Sequence, residues 1–316
     1  MTQRKIIIDA DTGIDDAFAI LYGLKSEKAD IVGITTVFGN ISVELATENT
    51  LRILKLAGRE NEIPVSRGAS KPISRELQGY STHVHGQNGI GEVELPLSSQ
   101  RPIEEAADDF ILRMADELNG ELVLVTLGRL TNVALALRKD PRLAGKIKHL
   151  YVMGGAVQAP GNVTPVAEAN IWGDPEAAEL VVRSGMPITL VGLDVTMKTL
   201  LHQSQLDSLK RTCKPENRGI VDFIDGMMRF YFGFYREFNG FRDYAPMHDP
   251  LALLIALEPG IVRTQTMHLS VECTGELCVG MTVADLRRKP RVGTPVQVCV
   301  EVQAAQAVEL LLAAFD

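Results

Sequence analysis

Short apolar runs alternate with amphipathic stretches along most of the chain. Ile6-Ile7-Ile8 is typical of a buried strand, and the same pattern predicts strands at 31–38, 122–127, 149–153 and 188–193. The spacing of apolar residues predicts helices at 14–26, 43–56 and 103–118, after Thr131, and from Asp174-Pro175 onward. Strands that alternate with helices form parallel sheets covered by helices on both faces. The pattern therefore predicts an α/β fold.

The last third of the chain departs from this alternation. A helix predicted at 217–239 is unusually aromatic, and another follows Asp249-Pro250. Antiparallel strands are then expected at 266–273, 277–283 and 296–302, followed by a closing helix. With neither a linker nor a repeat evident, we expect one domain over 1–316. Its fold would be a Rossmann-like open, mostly parallel sheet with a few added antiparallel strands.

Composition narrows the range of functions. The chain has 316 residues, 46% of them apolar, which is enough for a large core. Its net charge of -8, with acids and bases interspersed, argues against a nucleic-acid or membrane partner and favours a small molecule. The four cysteines have no metal-like spacing and are interpreted as reduced thiols. With no targeting segment or long apolar run, we expect a cytoplasmic protein.

Four carboxylates crowd the end of the first strand. Asp9 and Asp11 leave its carboxyl end on the same face, and Asp15 and Asp16 begin the next helix. Gly13 is expected to supply backbone angles for the turn between them. Like charges this close repel one another unless a cation lies among them. Hard oxygen ligands indicate calcium, with magnesium as second choice, and Asp11 and Asp16 could hold the ion together.

Two other interpretations of this block remain open at this point. Helix capping explains Asp15 or Asp16 but not the two preceding carboxylates. Haloacid-dehalogenase phosphatases also begin with a hydrophobic strand that runs into Asp-x-Asp-x-Thr, which Asp9-Ala-Asp11-Thr12 satisfies. In that class Asp9 would be a nucleophile and magnesium the cofactor.

Polar residues also follow the other predicted strands. In an open parallel sheet, ligands bind outside the carboxyl ends of the strands. Clusters at such ends would therefore converge on one crevice; they are Asp9 to Asp16, Gly39-Asn40, Gly128, Gly154-Gly155 and Asp194. The stretch at 67–101, which lacks periodicity and contains His83 and His85, is a long loop of the kind that often carries function.

An ordered set of motifs resembles the calcium-dependent nucleoside hydrolases of the inosine-uridine-preferring type over nearly the whole chain. The opening block is similar to that family's Asp-x-Asp-x-Gly-x-Asp-Asp-Ala signature. The later matches are Val37-Phe-Gly-Asn40, His85-Gly-Gln-Asn-Gly89, Leu127-Gly-Arg-Leu-Thr-Asn132, Met153-Gly-Gly155, Gly161-Asn-Val-Thr-Pro-Val-Ala-Glu-Ala-Asn170, Asp174-Pro-Glu-Ala-Ala178 and His248-Asp-Pro250. The phosphatase alternative does not account for these later blocks.

The resemblance implies hydrolysis of the N-glycosidic bond of ribonucleosides, with one calcium ion per subunit. The implied metal ligands are Asp11, Asp16, Asp249 and the main-chain oxygen of Leu127, with Asp9 supporting them. Asp11 would also take a proton from the calcium-held water, and His248 would protonate the leaving base. The implied substrate-binding residues are Asp15, Asn40, His85, Met153, Asn162, Glu168 and Asn170. Tyr231 and Tyr235 are further candidates that would close over the base.

The chain departs from the family's commonest pattern at Thr12, Leu127 and Ala169, of which Ala169 would reshape the pocket near the 5' end of the sugar. Trp172 is the sole tryptophan, so a two-tryptophan sandwich for purines is not available, and His248 is present. We therefore expect preference for pyrimidine nucleosides or for inosine and uridine. The resemblance further implies a homodimer or homotetramer. The alternative that is not an enzyme is a nucleoside-binding protein without catalytic activity.

Overall fold

A nine-stranded sheet lies at the centre of the computed structural model, which describes residues 3–240, 242–289 and 291–316. The strands of the described residues are β1 (Arg4–Ala10), β2 (Ala29–Thr36), β3 (Val65–Arg67), β4 (Leu122–Thr126), β5 (His149–Met153), β6 (Ile188–Val191), β7 (Leu200–His202), β8 (Tyr244–Pro246), β9 (Val262–Val271), β10 (Thr282–Ala284) and β11 (Thr294–Val302). The order in the large sheet is β10-β9-β11-β6-β5-β4-β1-β2-β3, and β7 pairs with β8 in a small antiparallel sheet.

Helices cover both faces of the large sheet. They are α1 (Ile14–Lys25), α2 (Val43–Leu56), α3 (Thr82–His85), α4 (Ala107–Glu117), α5 (Thr131–Lys139), α6 (Ala169–Gly173), α7 (Pro175–Val182), α8 (Leu193–Thr196), α9 (Gln203–Thr212), α10 (Arg218–Asn239), α11 (His248–Leu257) and α12 (Ala304–Ala313). No helix of the residues described above is both long and apolar enough to cross a membrane.

The two faces of β1 belong to two different hydrophobic clusters. Ile6 and Ile8 point into the cluster that includes α1, α2, α10, α11 and α12, whereas Ile7 points into the cluster with α4, α5 and α7. All three isoleucines are fully buried. Since burying one such side chain stabilises a fold by roughly 1.5–3 kcal/mol, the two clusters together offset the cost of burying charged groups at the end of this strand.

The order of the strands reverses at β1. The chain proceeds from β1 through β2 to β3 in one direction, then returns to β4 on the other side of β1 and continues to β5 and β6. The strands on both sides of this reversal are parallel to β1. A crevice opens at such a switch point, outside the carboxyl ends of the strands.

Most of the elements predicted from sequence are present, with three corrections. The helix expected at 103–118 begins only at Ala107, and the strand expected at 277–283 is reduced to β10. β11 is antiparallel to β9 as expected, but its other edge pairs in parallel with β6. β9 and β10 therefore extend the main sheet as added antiparallel strands, as expected, and β11 joins them to its parallel part.

Candidate active site

A cavity of about 710 Å³ opens at the carboxyl ends of β1, β4 and β5. Its size is ordinary for a small-molecule site. It brings together most of the site residues expected from sequence, namely Asp15, Asn40, His85, Leu127, Met153, Asn162, Glu168, Asn170, Tyr231, Tyr235, His248 and Asp249. Asp9, Asp11 and Asp16 are fully buried next to this cavity.

The turn between β1 and α1 is held by Asp16. Its carboxylate accepts hydrogen bonds from the backbone N–H groups of Gly13 at 2.8 Å and Asp11 at 3.2 Å. Gly13 has φ of -90° and ψ of -159°, angles open to any residue, so the expectation that the turn needs glycine's backbone freedom is wrong. The physical reason for glycine is space, because a Cβ there would lie 2.5 Å from Nδ1 of His85.

Three carboxylates form a group that fits a cation. Asp15, Asp16 and Asp249 each offer an oxygen, and these atoms lie within 4.8 Å of one another. Asp15 and Asp16 are in the first turn of α1, and Asp249 is in the first turn of α11. Two helix N-termini therefore direct their partial positive charge at this group. The sequence analysis expected Asp11, Asp16 and Asp249 as side-chain ligands; this group contains Asp16 and Asp249, but it has Asp15 in place of Asp11.

Burial makes these carboxylates costly to ionise without a cation. It raises the pKa of Asp15 to about 7, and the charge of Asp11 adds to this effect. Burial raises the pKa values of Asp16 and Asp249 well above the usual range, and the neighbouring carboxylates raise them further. Among the described residues, Oδ1 of Asp11 and Oδ1 of Asp15 are buried without a hydrogen-bond partner. Oxygen-only donors and unpartnered carboxylate oxygens fit a hard divalent cation.

Asp9 lies in β1, and the structure does not favour it as a nucleophile. Its Oδ1 accepts hydrogen bonds from the hydroxyl of Thr35 at 2.6 Å and from Nδ2 of Asn132 at 2.7 Å. Asp9 is fully buried, and this burial raises its pKa to about 7. The side chain therefore links β1, β2 and α5 beneath the site. That position agrees with the supporting role implied by the resemblance.

Sequence reasoning missed Arg129, which follows β4. Its Nη1 donates to Oδ2 of Asp11, and also to Oδ1 of Asn170 at 3.2 Å. The backbone N–H of Asn40 donates to the same Asp11 oxygen at 2.8 Å. The available signal was a charged residue inside the otherwise uncharged segment Leu127-Gly-Arg-Leu-Thr-Asn132, immediately after a buried strand.

The expected sugar-binding residues lie along one wall of the cavity. Asn170 donates from Nδ2 to the carbonyl oxygens of Leu127 at 2.6 Å and Met153 at 3.1 Å, and so joins the ends of β4 and β5. Glu168 caps α6 and accepts from the backbone N–H groups of Asn170 and Gly155, both at 2.9 Å. Asn162 accepts from the backbone N–H of Ala169 at 3.0 Å.

Two histidines and two tyrosines face this wall from α3, α10 and α11. Nδ1 of His85 accepts the backbone N–H of Ile14 at 3.0 Å, which leaves the proton of the neutral ring on Nε2. The hydroxyl of Tyr231 donates to Oδ2 of Asp15 at 3.2 Å. Burial lowers the pKa of His85 to about 3 and that of His248 to about 4, so both rings are neutral near pH 7.

His248 is held through both ring nitrogens. Nδ1 shares a hydrogen bond with the hydroxyl of Thr196 at 2.8 Å, and Nε2 shares one with the hydroxyl of Tyr235 at 2.9 Å. Thr196, at the end of α8, is a second residue that the sequence analysis missed. A hydroxyl at the end of a four-residue helix gives no sequence signal of its own.

Comparison with known proteins gives a consistent result. A family model described as inosine-uridine preferring nucleoside hydrolase matches residues 6–309. The chain is 38% identical over 283 residues to Uridine nucleosidase 1 of Arabidopsis thaliana, covering 90% of this chain and 82% of that protein. It is 37% identical over 283 residues to the pyrimidine-specific ribonucleoside hydrolase RihA of Photobacterium profundum, with 90% and 89% covered.

Solved structures show the same architecture. A plant nucleoside hydrolase, the PpNRh1 enzyme, superposes with a TM-score of 0.92 at 35% identity, covering 99% of this chain and 98% of that one. The purine-preferring ribonucleoside hydrolase from Gardnerella vaginalis also has a TM-score of 0.92, at 34% identity and the same coverage. The names of these relatives differ in the base that each protein prefers.

Proposed function

This chain belongs to the inosine-uridine preferring nucleoside hydrolase family and is an N-glycosyl hydrolase, and we propose that Asp11 and His248 carry out its proton transfers on ribonucleosides. The products would be free base and ribose. The observation that supports this most is the set of buried carboxylates beside the cavity, three of which (Asp9, Asp11 and Asp15) have an oxygen without a partner among the described residues. Cleavage of a glycosidic bond passes through an oxocarbenium-like state, which negative groups stabilise.

One calcium ion per subunit would be held by Asp11, Asp16, Asp249 and the carbonyl oxygen of Leu127. When bound, calcium polarises water and binds vicinal hydroxyls. The donors named here supply only oxygen, as a hard cation requires. Leu127 already accepts one hydrogen bond from Asn170, and a carbonyl oxygen has a second lone pair for another partner.

Asp11 would accept the proton of the attacking water. Its Oδ2 is fixed by the N–H of Asn40 and by Arg129, while Oδ1 has no partner among the described residues. A base fixed by one oxygen keeps the other in a constant position, which favours proton transfer. Asp15, whose Oδ1 is likewise unpartnered, would accept a ribose hydroxyl. Asn40, Met153, Asn162, Glu168 and Asn170 would complete the contacts to the sugar.

The departing base would occupy the part of the cavity near His85, Tyr231 and Tyr235. The Nε2–H of His85 is available there as a fixed donor. His248, which is neutral at rest and is bonded through Nε2 to Tyr235, would take up a proton from solvent as negative charge develops on the base, and would give that proton to the leaving base and return to its neutral form. This arrangement reduces the barrier for bases that leave poorly as anions.

We favour pyrimidine nucleosides, or inosine and uridine, as substrates. This proposal is supported by the presence of His248 and by Trp172 as the sole tryptophan of the chain. A cytoplasmic location is supported by the free thiols of Cys213, Cys273, Cys278 and Cys299. The homodimer or homotetramer is proposed on the family resemblance alone.

The test is release of free base and ribose from uridine, cytidine, inosine and adenosine by the calcium-loaded protein. Turnover of uridine or inosine above that of adenosine is the expected result. No release from any of the four would contradict the proposal. Tight nucleoside binding by calorimetry without turnover would then indicate a binding protein, and release of phosphate from sugar phosphates would indicate a phosphatase.

A further inference from the structure

Arg129 lies at the cavity and holds Oδ2 of Asp11, but it neither gives nor takes a proton in the proposed reaction. Its side chain is 7% exposed, and Nη1 contacts both Asp11 and Asn170. Of the described residues that line the cavity, Arg129 is the one lysine or arginine. A buried positive charge therefore lies directly against Asp11, one of the carboxylates that are proposed to bind calcium.

Two glycines leave room for this side chain. A Cβ at Gly39 would lie 2.3 Å from Nη1, and a Cβ at Gly173 would lie 2.6 Å from Nε. Both distances are too short for real contacts, so a larger residue at either position would displace the guanidinium. The space occupied by the Arg129 guanidinium therefore requires glycine at both Gly39 and Gly173, which lie on separate segments of the chain. This indicates that the position of Arg129 is fixed by the fold.

Arg129 and a cation can occupy the two sides of Asp11 together. The guanidinium binds Oδ2, which also accepts the N–H of Asn40 at 2.8 Å. Oδ1 is buried and has no partner among the residues described. Arg129 therefore need not leave when a cation contacts Oδ1, but two positive groups would then share one carboxylate and repel each other.

We infer that Arg129 is a positioning residue that acts as a fixed counterion of Asp11 and weakens the binding of the divalent cation. This inference rests on the proposed metal site. Without the cation, its charge offsets part of the repulsion among the buried carboxylates. With the cation bound, the same charge is unfavourable. Arg129 thus reduces the free energy that the protein gains when it binds calcium. The affinity for calcium is reduced by the same effect.

Calcium titration by calorimetry tests this inference on the full chain. Arg129→Gln keeps an N–H donor for Asp11 but removes the charge, whereas Arg129→Lys keeps the charge but loses the planar fork. We expect the Kd of the glutamine variant for calcium to fall about tenfold, since a like charge has been removed from the site. The lysine variant should bind calcium with nearly the parent's affinity. In chelator, the glutamine variant should also unfold at a lower temperature than the parent.

An unchanged or higher Kd in Arg129→Gln would overturn the inference, because a purely structural side chain would not tighten metal binding when removed. Should that variant fail to fold, Gly173→Ala is the second test. Its methyl group would displace the guanidinium and should also lower the Kd for calcium. An unchanged Kd in this variant would contradict the inference as well.

The titration does not depend on turnover, so it separates this inference from the proposed reaction. A parent protein that binds calcium but leaves nucleosides intact would refute the reaction alone. A parent that binds no divalent cation would refute both the proposed metal site and the role of Arg129.

Discussion

The hydroxyl of Tyr235 lies 2.9 Å from Nε2 of His248, which connects α10 to the first residue of α11. The adjacent Tyr231 ring packs edge-on against Tyr235 with centroids 5.0 Å apart and binds Asp15 through its own hydroxyl. The aromatic helix therefore contacts both the proposed leaving-group acid and a proposed ribose ligand. Changes on this helix should alter catalysis as well as packing.

Replacing His248 should affect substrates according to their leaving group. We expect His248→Ala to lower kcat for uridine or inosine about 100-fold or more, since a positioned general acid contributes on that order. A nitrophenyl riboside, whose leaving group needs no proton, should lose much less. Steady-state kinetics on both substrates measures the ratio. His268→Ala, on β9, is the matched control, and equal losses on both substrates would count against His248 as the acid.

Tyr235→Phe should reproduce part of this pattern, because it removes the hydroxyl bonded to His248 and keeps the ring. We expect a smaller fall in kcat than for His248→Ala, with the same bias toward natural nucleosides. In the double variant the two losses should not add, because both act through one hydrogen-bonded pair. Fully additive losses in kcat would show that the two residues act separately.

Asp11→Asn should remove most turnover while the protein stays folded. The amide oxygen can still accept from Asn40 and Arg129, but the side chain can no longer take a proton, so we expect kcat to fall by about 10²–10⁴-fold. Base release from uridine is the measurement, and circular dichroism reports the fold. Asp30→Asn, at a surface ion pair with Lys5, is the control. A rate near the parent's would exclude Asp11 as the base.

Calcium should stabilise the protein and chelation should destabilise it. Binding to the folded state alone adds about 2.7 kcal/mol to the free energy of unfolding at a free calcium concentration of 100 Kd. Thermal unfolding with EDTA and with excess calcium measures this shift. Asp249→Asn should reduce it strongly. A parent whose unfolding temperature is the same in both conditions would contradict the metal site.

His85 should make the protein less stable in acid. Burial, followed by the charge of Arg129, lowers its pKa to about 3 in the folded state, whereas the ring titrates near 6.5 when unfolded. The unfolded chain therefore binds the extra proton first, and the free energy of unfolding should fall as the pH drops from about 6.5 toward 3, by roughly 2 kcal/mol at pH 5. His85→Asn, which keeps an acceptor for the N–H of Ile14, should show a shallower fall in urea unfolding series. An equal slope in both proteins would contradict the assignment.

The sequence predicted the long, strongly patterned elements best. α2 and β5 begin and end at the predicted residues, and Ser42 accepts the N–H of Leu45 as the cap of α2. β3, β7 and β8 have three residues each, too few to show a period, and all three were missed. α9 was missed because only Leu206 and Leu209 are buried on an otherwise polar helix. That the whole chain is one domain stays a prediction.

The candidate site was predictable where the chemistry is contained in a local motif. The carboxylate block and the motif at His248 are of this kind, and the structure brings them to one cavity. The contacts of Arg129 and Thr196 were not predictable, because each depends on a partner far away in the chain. The same holds for Gly13, whose neighbour His85 belongs to a different loop.

The carboxylates of α1 and α11 are more than 230 residues apart in the sequence. A growing polypeptide on the ribosome has made Asp11, Asp15 and Asp16 long before Asp249 exists. The early segment therefore carries a cluster of acids whose cation site is incomplete until the last quarter of synthesis, and these contacts of high sequence separation are expected to form late in folding. Hydrolysis of nucleosides would accordingly begin only after translation is nearly finished, and a protein truncated before α11 would be inactive.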